Sequence, residues 1–142
     1  MDDPHDLGRF VDAQEPVIAR VYAELRAGRK EGHWMWFVFP QWKGLGSSAL
    51  AVRFGIASRE EAGSYLRHPV LGPRLRECTR LVNLVKGQPI DQILGYPDDL
   101  KFRSCMTLFT HVTEDNEVFR TAIEKYFGGE FDPLTLRKLR GT

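Results

Sequence analysis

The stretch His33–Ser48, HWMWFVFPQWKGLGSS, holds all three tryptophans of the chain and two of its nine phenylalanines. Seven consecutive apolar residues from Trp34 to Pro40 form either a buried strand or a short buried helix, and Pro40 ends the run in both cases. Four large aromatics within six residues, Trp34, Trp36, Phe37 and Phe39, cannot all point into one core. Some of them must line a groove or face another element, and a buried indole also needs an acceptor for its N–H. The GlyLeuGlySerSer that follows is either a plain turn or, where a helix begins, a source of backbone donors and hydroxyls for a phosphate or carboxylate.

The rest of the chain is patterned for helices. Apolar residues from Phe10 to Leu25 recur at a spacing near 3.6 up to Gly28, and Pro16 kinks or splits that helix. Arg26, Arg29 and Lys30 then lie where a helix C-terminus favours cations. Ser58 followed by Glu61 has the spacing of a capping box for a helix over residues 59–67, which His68-Pro69 breaks. Gly72-Pro73 opens the next, with Leu75, Cys78, Leu81, Val82 and Val85 as its buried stripe. Pro89 to Leu94 reads as a short helical turn closed by Gly95. Asp98 is expected to cap a helix over 99–111, Asp115 or Asn116 to begin another ending at Gly128-Gly129, and Asp132-Pro133 to start a last one to Arg140. Six to seven helices and at most one strand predict an all-α fold, one domain spanning residues 1–142.

Composition excludes several classes. A formal net charge of +1 leaves no whole-chain field for nucleic acid or an anionic membrane. Stacking of single strands on the aromatics would need Arg20, Arg26, Arg29, Lys30, Arg137, Lys138 and Arg140 to converge into one basic track. No apolar run spans a bilayer and the start MDDPHD is unlike a signal peptide, so the expectation is a cytoplasmic protein without membrane contact. Cys78 and Cys105, far apart and in no CxxC pattern, are expected as buried thiols. His5, His33, His68 and His111 form no HxxxH or HExxH pair, so neither a metal nor a cofactor is expected. A nucleophile elbow of GxSxG type and a P-loop are both missing.

The remaining polar residues outline a candidate cleft between 33–48 and 98–104. His33 and Asp99 are the candidates for acid or base, with His33 and His68 both beside breaks in structure and both open to a plain capping or surface role. Trp34 or Trp36 would stack on a ring and Gln41 would read its edge. Lys43, Lys101 and Arg103 would meet phosphate or carboxylate, with Ser47, His68 and Ser104 as further contacts. Lys101 and Arg103 stand near a helix start that already favours anions, so pairing with Asp98 and Asp99 is their other explanation.

Beyond these local patterns, HWMWFVFPQWKGLGSS together with RFVDAQ, ELRAGRK, HPVLGPRL, DDLKFRSCMTLF and FGGEFDPLTL closely resembles a family of small bacterial and fungal proteins of unknown function. The resemblance covers nearly the whole chain. It implies one all-α domain and no established activity. Some members carry the label calpastatin, an inhibitor of disordered, repeated segments, which an aromatic-rich, helix-patterned chain does not match. Where the family pattern has two serines before Met-Thr-Leu-Phe, this chain has Ser104-Cys105, so a second hydroxyl there is dispensable. The expectation taken forward is a cleft for a small anionic, ring-containing ligand such as a nucleotide or an ADP-ribose-like compound, with hydrolysis or group transfer as its chemistry if it has any. The alternative is a protein-binding module or adaptor without chemistry.

Overall fold

The computed structural model, which describes residues 2–142, divides the N-terminal apolar pattern at Pro16 into α1 (Gly8–Gln14) and α2 (Ile18–Arg26). The aromatic run becomes a single helical turn, α3 (Met35–Val38). Its burial explains the choice of helix over strand: Trp34, Met35, Val38 and Phe39 go inward while Trp36 and Phe37 stay half-exposed. An extended run would have alternated its faces instead.

The GlyLeuGlySerSer loop leads into α4 (Ala49–Phe54), capped by the Ser48 hydroxyl, which accepts from the Ala51 N–H at 3.1 Å. Two bonds, Lys43 N–H to Ile56 O at 2.8 Å and Ile56 N–H to Gln41 O at 2.9 Å, then close the 41–56 excursion. The chain passes so tightly here that a Cβ on Gly55 would lie 2.8 Å from Lys43 Cα.

α5 (Arg59–Arg67) starts on the Ser58 cap, as its spacing predicts, with the Glu61 N–H donating to Ser58 Oγ at 3.0 Å. The Glu61 carboxylate turns to Ala57 N–H and to Arg9, 3.1 and 2.8 Å away. α6 (Leu71–Leu84) begins one residue before Gly72-Pro73, because His68 Nδ1 accepts from the Val70 and Leu71 N–H groups at 3.1 and 3.2 Å. α7 (Ile90–Leu94), α8 (Asp98–Thr110), α9 (Glu117–Phe127) and α10 (Pro133–Arg140) complete the chain, the last capped by Asp132. Among the described residues there are ten helices rather than six or seven. The excess comes from the split at Pro16 and from the short α3 and α4, whose few residues carry no full helical period to read.

α8 is the axis of the packing. Phe102 and the seven residues Ser104 to Thr110 are all buried, and α7, α9 and α10 pack around it, while α6 joins α2, α5 and α9. A helix buried on every side loses its polar stripe. Its hydroxyls bond inward, with Thr107 Oγ1 donating to Arg103 O at 2.8 Å and Thr110 Oγ1 to Met106 O at 2.7 Å. Cys78 and Cys105 are free and buried, and burial pushes the Cys78 thiol up to about 12 and the Cys105 thiol well above its ordinary value. Neither is a nucleophile near neutral pH. Among the described residues no helix is long and apolar enough to cross a membrane.

The α5–α6 junction generates a test. A Cβ on Gly72 would stand 2.0 Å from the Leu66 carbonyl oxygen, which is backbone and cannot swing away. Gly72→Ala is expected to cost about 3 kcal/mol. Gly87→Ala, where the added methyl meets open space but φ is +72°, should cost only about 1 kcal/mol. Urea unfolding of both variants checks the order; equal losses would refute it.

Candidate functional site

The two stretches 33–48 and 98–104 meet. A groove of about 460 Å³ runs between Trp36, Gln41, Leu45 and Gly46 on one wall and Pro97, Leu100, Lys101, Arg103 and Ser104 on the other, closed by Asp132 and Leu134. A smaller one of about 190 Å³ adjoins it, sharing Trp36 and Lys101 and adding Lys30, His33, Met35, Leu50 and Asp98. The walls exist because α3 turns Trp36 outward and because the first two turns of α8 emerge from the core.

Asp98 organises the charges. Its two carboxylate oxygens meet Lys30 Nζ at 2.8 Å and Lys101 Nζ at 3.0 Å. Burial alone would raise its pKa, but the bonds from the two lysines outweigh burial and hold it below the ordinary carboxylate value. This corrects the expected cap: the N-cap position of α8 is Pro97, and no side chain caps it. Lys30 also donates to Gly32 O at 2.6 Å. The Lys101 ammonium lies 4.4 Å from the centre of the Trp36 ring, a cation–π contact that joins the walls. Arg103 is tied to the loop before α10, through Nε to Glu130 O at 2.9 Å and Nη2 to Phe131 O at 3.1 Å. Ser104 Oγ donates to Asp132 Oδ2 at 2.8 Å. Gln41 differs from all of these. It is only 7% exposed, it lines the larger groove, and among the described residues its side-chain amide has no hydrogen-bond partner.

Of the residues singled out in the sequence, Trp36, Gln41, Lys101, Arg103 and Ser104 therefore line the larger groove, and His33, exposed, lines the smaller. The others do not join them. Trp34 is 1% exposed and belongs to the core, so it offers no face for stacking. Lys43 and Ser47 are exposed and line neither groove. His68 is engaged as the cap of α6. Asp99 also lies off both grooves; burial raises its pKa, with Asp91 and Asp98 adding to the effect, and its Oδ1 is buried without a partner. Lys30 and Asp98, expected only at helix ends, shape the site, and Asp132 both caps α10 as expected and accepts from Ser104. The three-residue spacing of Asp98 and Lys101 was the available signal, since such pairs share one helix face. No local pattern could have placed Lys30 against Asp98. Among the described residues no group of three or more His, Cys, Asp or Glu is arranged for a metal ion.

Behind the site stands Glu24 of α2, 7% exposed. Its Oε1 accepts from Glu31 N–H at 2.7 Å, Gly32 N–H at 3.0 Å and the Trp34 indole at 3.0 Å. Burial on its own would raise the Glu24 pKa, but those donors prevail and hold it below its ordinary 4.5. The aromatic segment is thus pinned to α2 at the point where it enters the groove wall.

Fold and groove together define a single-domain helical protein with a cleft of apolar and polar lining beside its central helix. The chain belongs to the family described as Protein of unknown function (DUF1810), whose model matches residues 4–139. It is also similar to a solved structure, that of the conserved hypothetical protein Rv1873 from Mycobacterium tuberculosis. The two are 60% identical, with 99% of this chain and 100% of that one covered, at a TM-score of 0.98. No curated protein matches the chain.

Removing the Glu24 charge tests the pinning. Glu24→Gln is expected to lose about 1.5–3 kcal/mol at neutral pH, because three donors lose a charged acceptor. The folded-state pKa is depressed, so the carboxylate's contribution is complete above 4.5 and is lost as pH falls through the folded value. Denaturant titrations of both proteins should therefore show their stability gap closing in acid. A gap unchanged from neutral pH down to about pH 3 would contradict this account.

Proposed function

We propose that the larger groove binds a small anionic, ring-containing ligand of the nucleotide or ADP-ribose-like class. The observation that carries the reading is the Gln41 carboxamide, which lines the groove on a residue only 7% exposed and makes no side-chain bond within the protein among the described residues. An amide that makes no bond within the protein can exchange groove water for a ligand edge offering a donor beside an acceptor. Lys101 supplies positive charge next to it and Trp36 supplies ring surface. The volume, about 460 Å³, is that of an ordinary small-molecule site. If the protein carries out hydrolysis or group transfer, His33 in the adjoining groove is the acid or base of this reading. Asp99 drops out of it, since it lines neither groove. A reducing, cytoplasmic setting belongs to the same proposal, supported by two buried free thiols.

One observation favours the second reading, a protein-binding module. Leu50, Leu100 and Leu134 are 44%, 47% and 53% exposed and line these two grooves, and Tyr96, 78% exposed, precedes Pro97 of the wall. Exposed apolar side chains gathered at one place mark a contact surface of some kind.

Thermal-shift measurements with a panel of nucleotides separate the two. A ligand present at about 100 times its Kd stabilises by roughly 2.7 kcal/mol, which is about 5–10 °C for a chain of this size. Lys101→Ala should abolish that shift. Gln41→Leu should bind at least about tenfold more weakly without any loss of basal stability, since its amide makes no side-chain bond within the protein among the described residues. No shift with any anionic ligand, together with an unchanged melt for Lys101→Ala, would sink the ligand reading in favour of the docking module.

A further inference from the structure

The charges facing the groove specify more than the word anionic. Across the two grooves Lys30, Lys101 and Arg103 are set against two carboxylates, Asp98 and Asp132, which leaves one formal positive charge, His33 apart. The cations are also unequally engaged. Lys30 is held by Asp98 and Gly32 O, and its side chain is only 8% exposed. Arg103 is held by two carbonyls, with the Glu130 carboxylate 3.8 Å away. Lys101 is the least engaged of the three, for it gives one donor, to Asp98, where Lys30 and Arg103 each give two.

Nor is there a cradle for a chain of phosphates. The start of α8, which would favour an anion, already carries Asp98 and Asp99 in its first turn. The Gly-rich loop ends in a cap, with Ser48 spent on Ala51 N–H, and its other serine, Ser47, lines neither groove. The walls around Lys101 are instead apolar, from Trp36, Leu45, Pro97, Leu100 and Leu134. Every negative charge beyond the first would enter an apolar surround without a counter-ion, which costs affinity.

We infer that the groove selects a monoanion: a planar heterocycle with a donor–acceptor edge for Gln41 and one carboxylate or phosphodiester for Lys101, and that it discriminates against nucleoside polyphosphates. This rests on the reading of the groove as an anion site and narrows it. Asp98 has the role of a positioning residue, holding Lys101 over Trp36 and setting the net charge.

Isothermal titration of the full chain with guanosine, cyclic GMP, GTP and orotate tests the inference. Guanosine, cyclic GMP and GTP share one base and differ in charge, and orotate carries its single charge as a carboxylate. Cyclic GMP or orotate is expected to bind at least about tenfold tighter than both guanosine and GTP. Preference for cyclic GMP alone assigns the phosphodiester, and for orotate alone the carboxylate. In Asp98→Asn the ratio of GTP to cyclic GMP affinity should rise several-fold, a readout that cancels any general loss of Lys101 positioning. GTP binding as tightly as the monoanions, or an unmoved ratio in Asp98→Asn, overturns the monoanion inference and leaves the anion site standing. Binding of guanosine as tight as cyclic GMP, or of none of the four, overturns both.

Discussion

The Glu24 carboxylate, taken out of water and surrounded by three N–H donors, is the interaction on which the groove depends. A buried carboxylate needs donors, and here one turn of chain, Glu31 to Trp34, brings three to its Oε1. That turn leads from the segment after α2 into the aromatic run that begins α3. With the Trp34 indole drawn inward to Glu24, the single helical turn that follows has its direction set, and Trp36 is left on the outside. Lys30, just before that turn, meets Asp98, so the segment after α2 is tied to the start of α8. Breaking the acceptor would therefore loosen both walls of the groove together.

α8 shows how a core element can also present a site. From Phe102 onward it is buried on nearly every face, which leaves it no freedom to shift. Its first turns emerge from that packing on a fixed axis, so Leu100, Lys101, Arg103 and Ser104 are displayed by a rigid element rather than by a loop. Rigid display matters because most of the polar groups there are already committed. Ser104 bonds Asp132, Arg103 bonds the loop before α10, and Lys101 bonds Asp98. Against that background one unmatched carboxamide, that of Gln41, is informative. It lines the groove and, unlike its polar neighbours, makes no side-chain bond within the protein among the described residues.

Membership in a family of unknown function and a near-identical backbone in Rv1873 establish the architecture and assign no activity. A fold hosts many chemistries, so function has to be argued from the site. The site offers an amide edge, one partly free ammonium, an indole and apolar walls, a combination suited to recognition. Its two carboxylates, Asp98 and Asp132, are both engaged in structural bonds. His33 is the one imidazole lining the adjoining groove.

Much of this was legible in the chain itself. Helix type and most boundaries follow from the apolar period, from Pro16, Gly28, Gly95 and Gly128, and from the caps at Ser58 and Asp132, because capping and backbone restriction act within a few residues. The presence of a wall at 33–48 follows from aromatic density, and the pairing of Lys101 with an aspartate follows from helical spacing. Tertiary structure decided the rest. Whether Trp34 or Trp36 faced the groove depended on Glu24, ten residues away, and whether Asp98 capped a helix or bridged two lysines depended on Lys30 from another element. His68 and Ser48 became caps while Gln41 was left unmatched, and nothing in their neighbours distinguishes these fates. Local sequence determines which turn a residue occupies, but the partner that completes a buried polar group comes from wherever the packed chain brings one, and only the folded core fixes that.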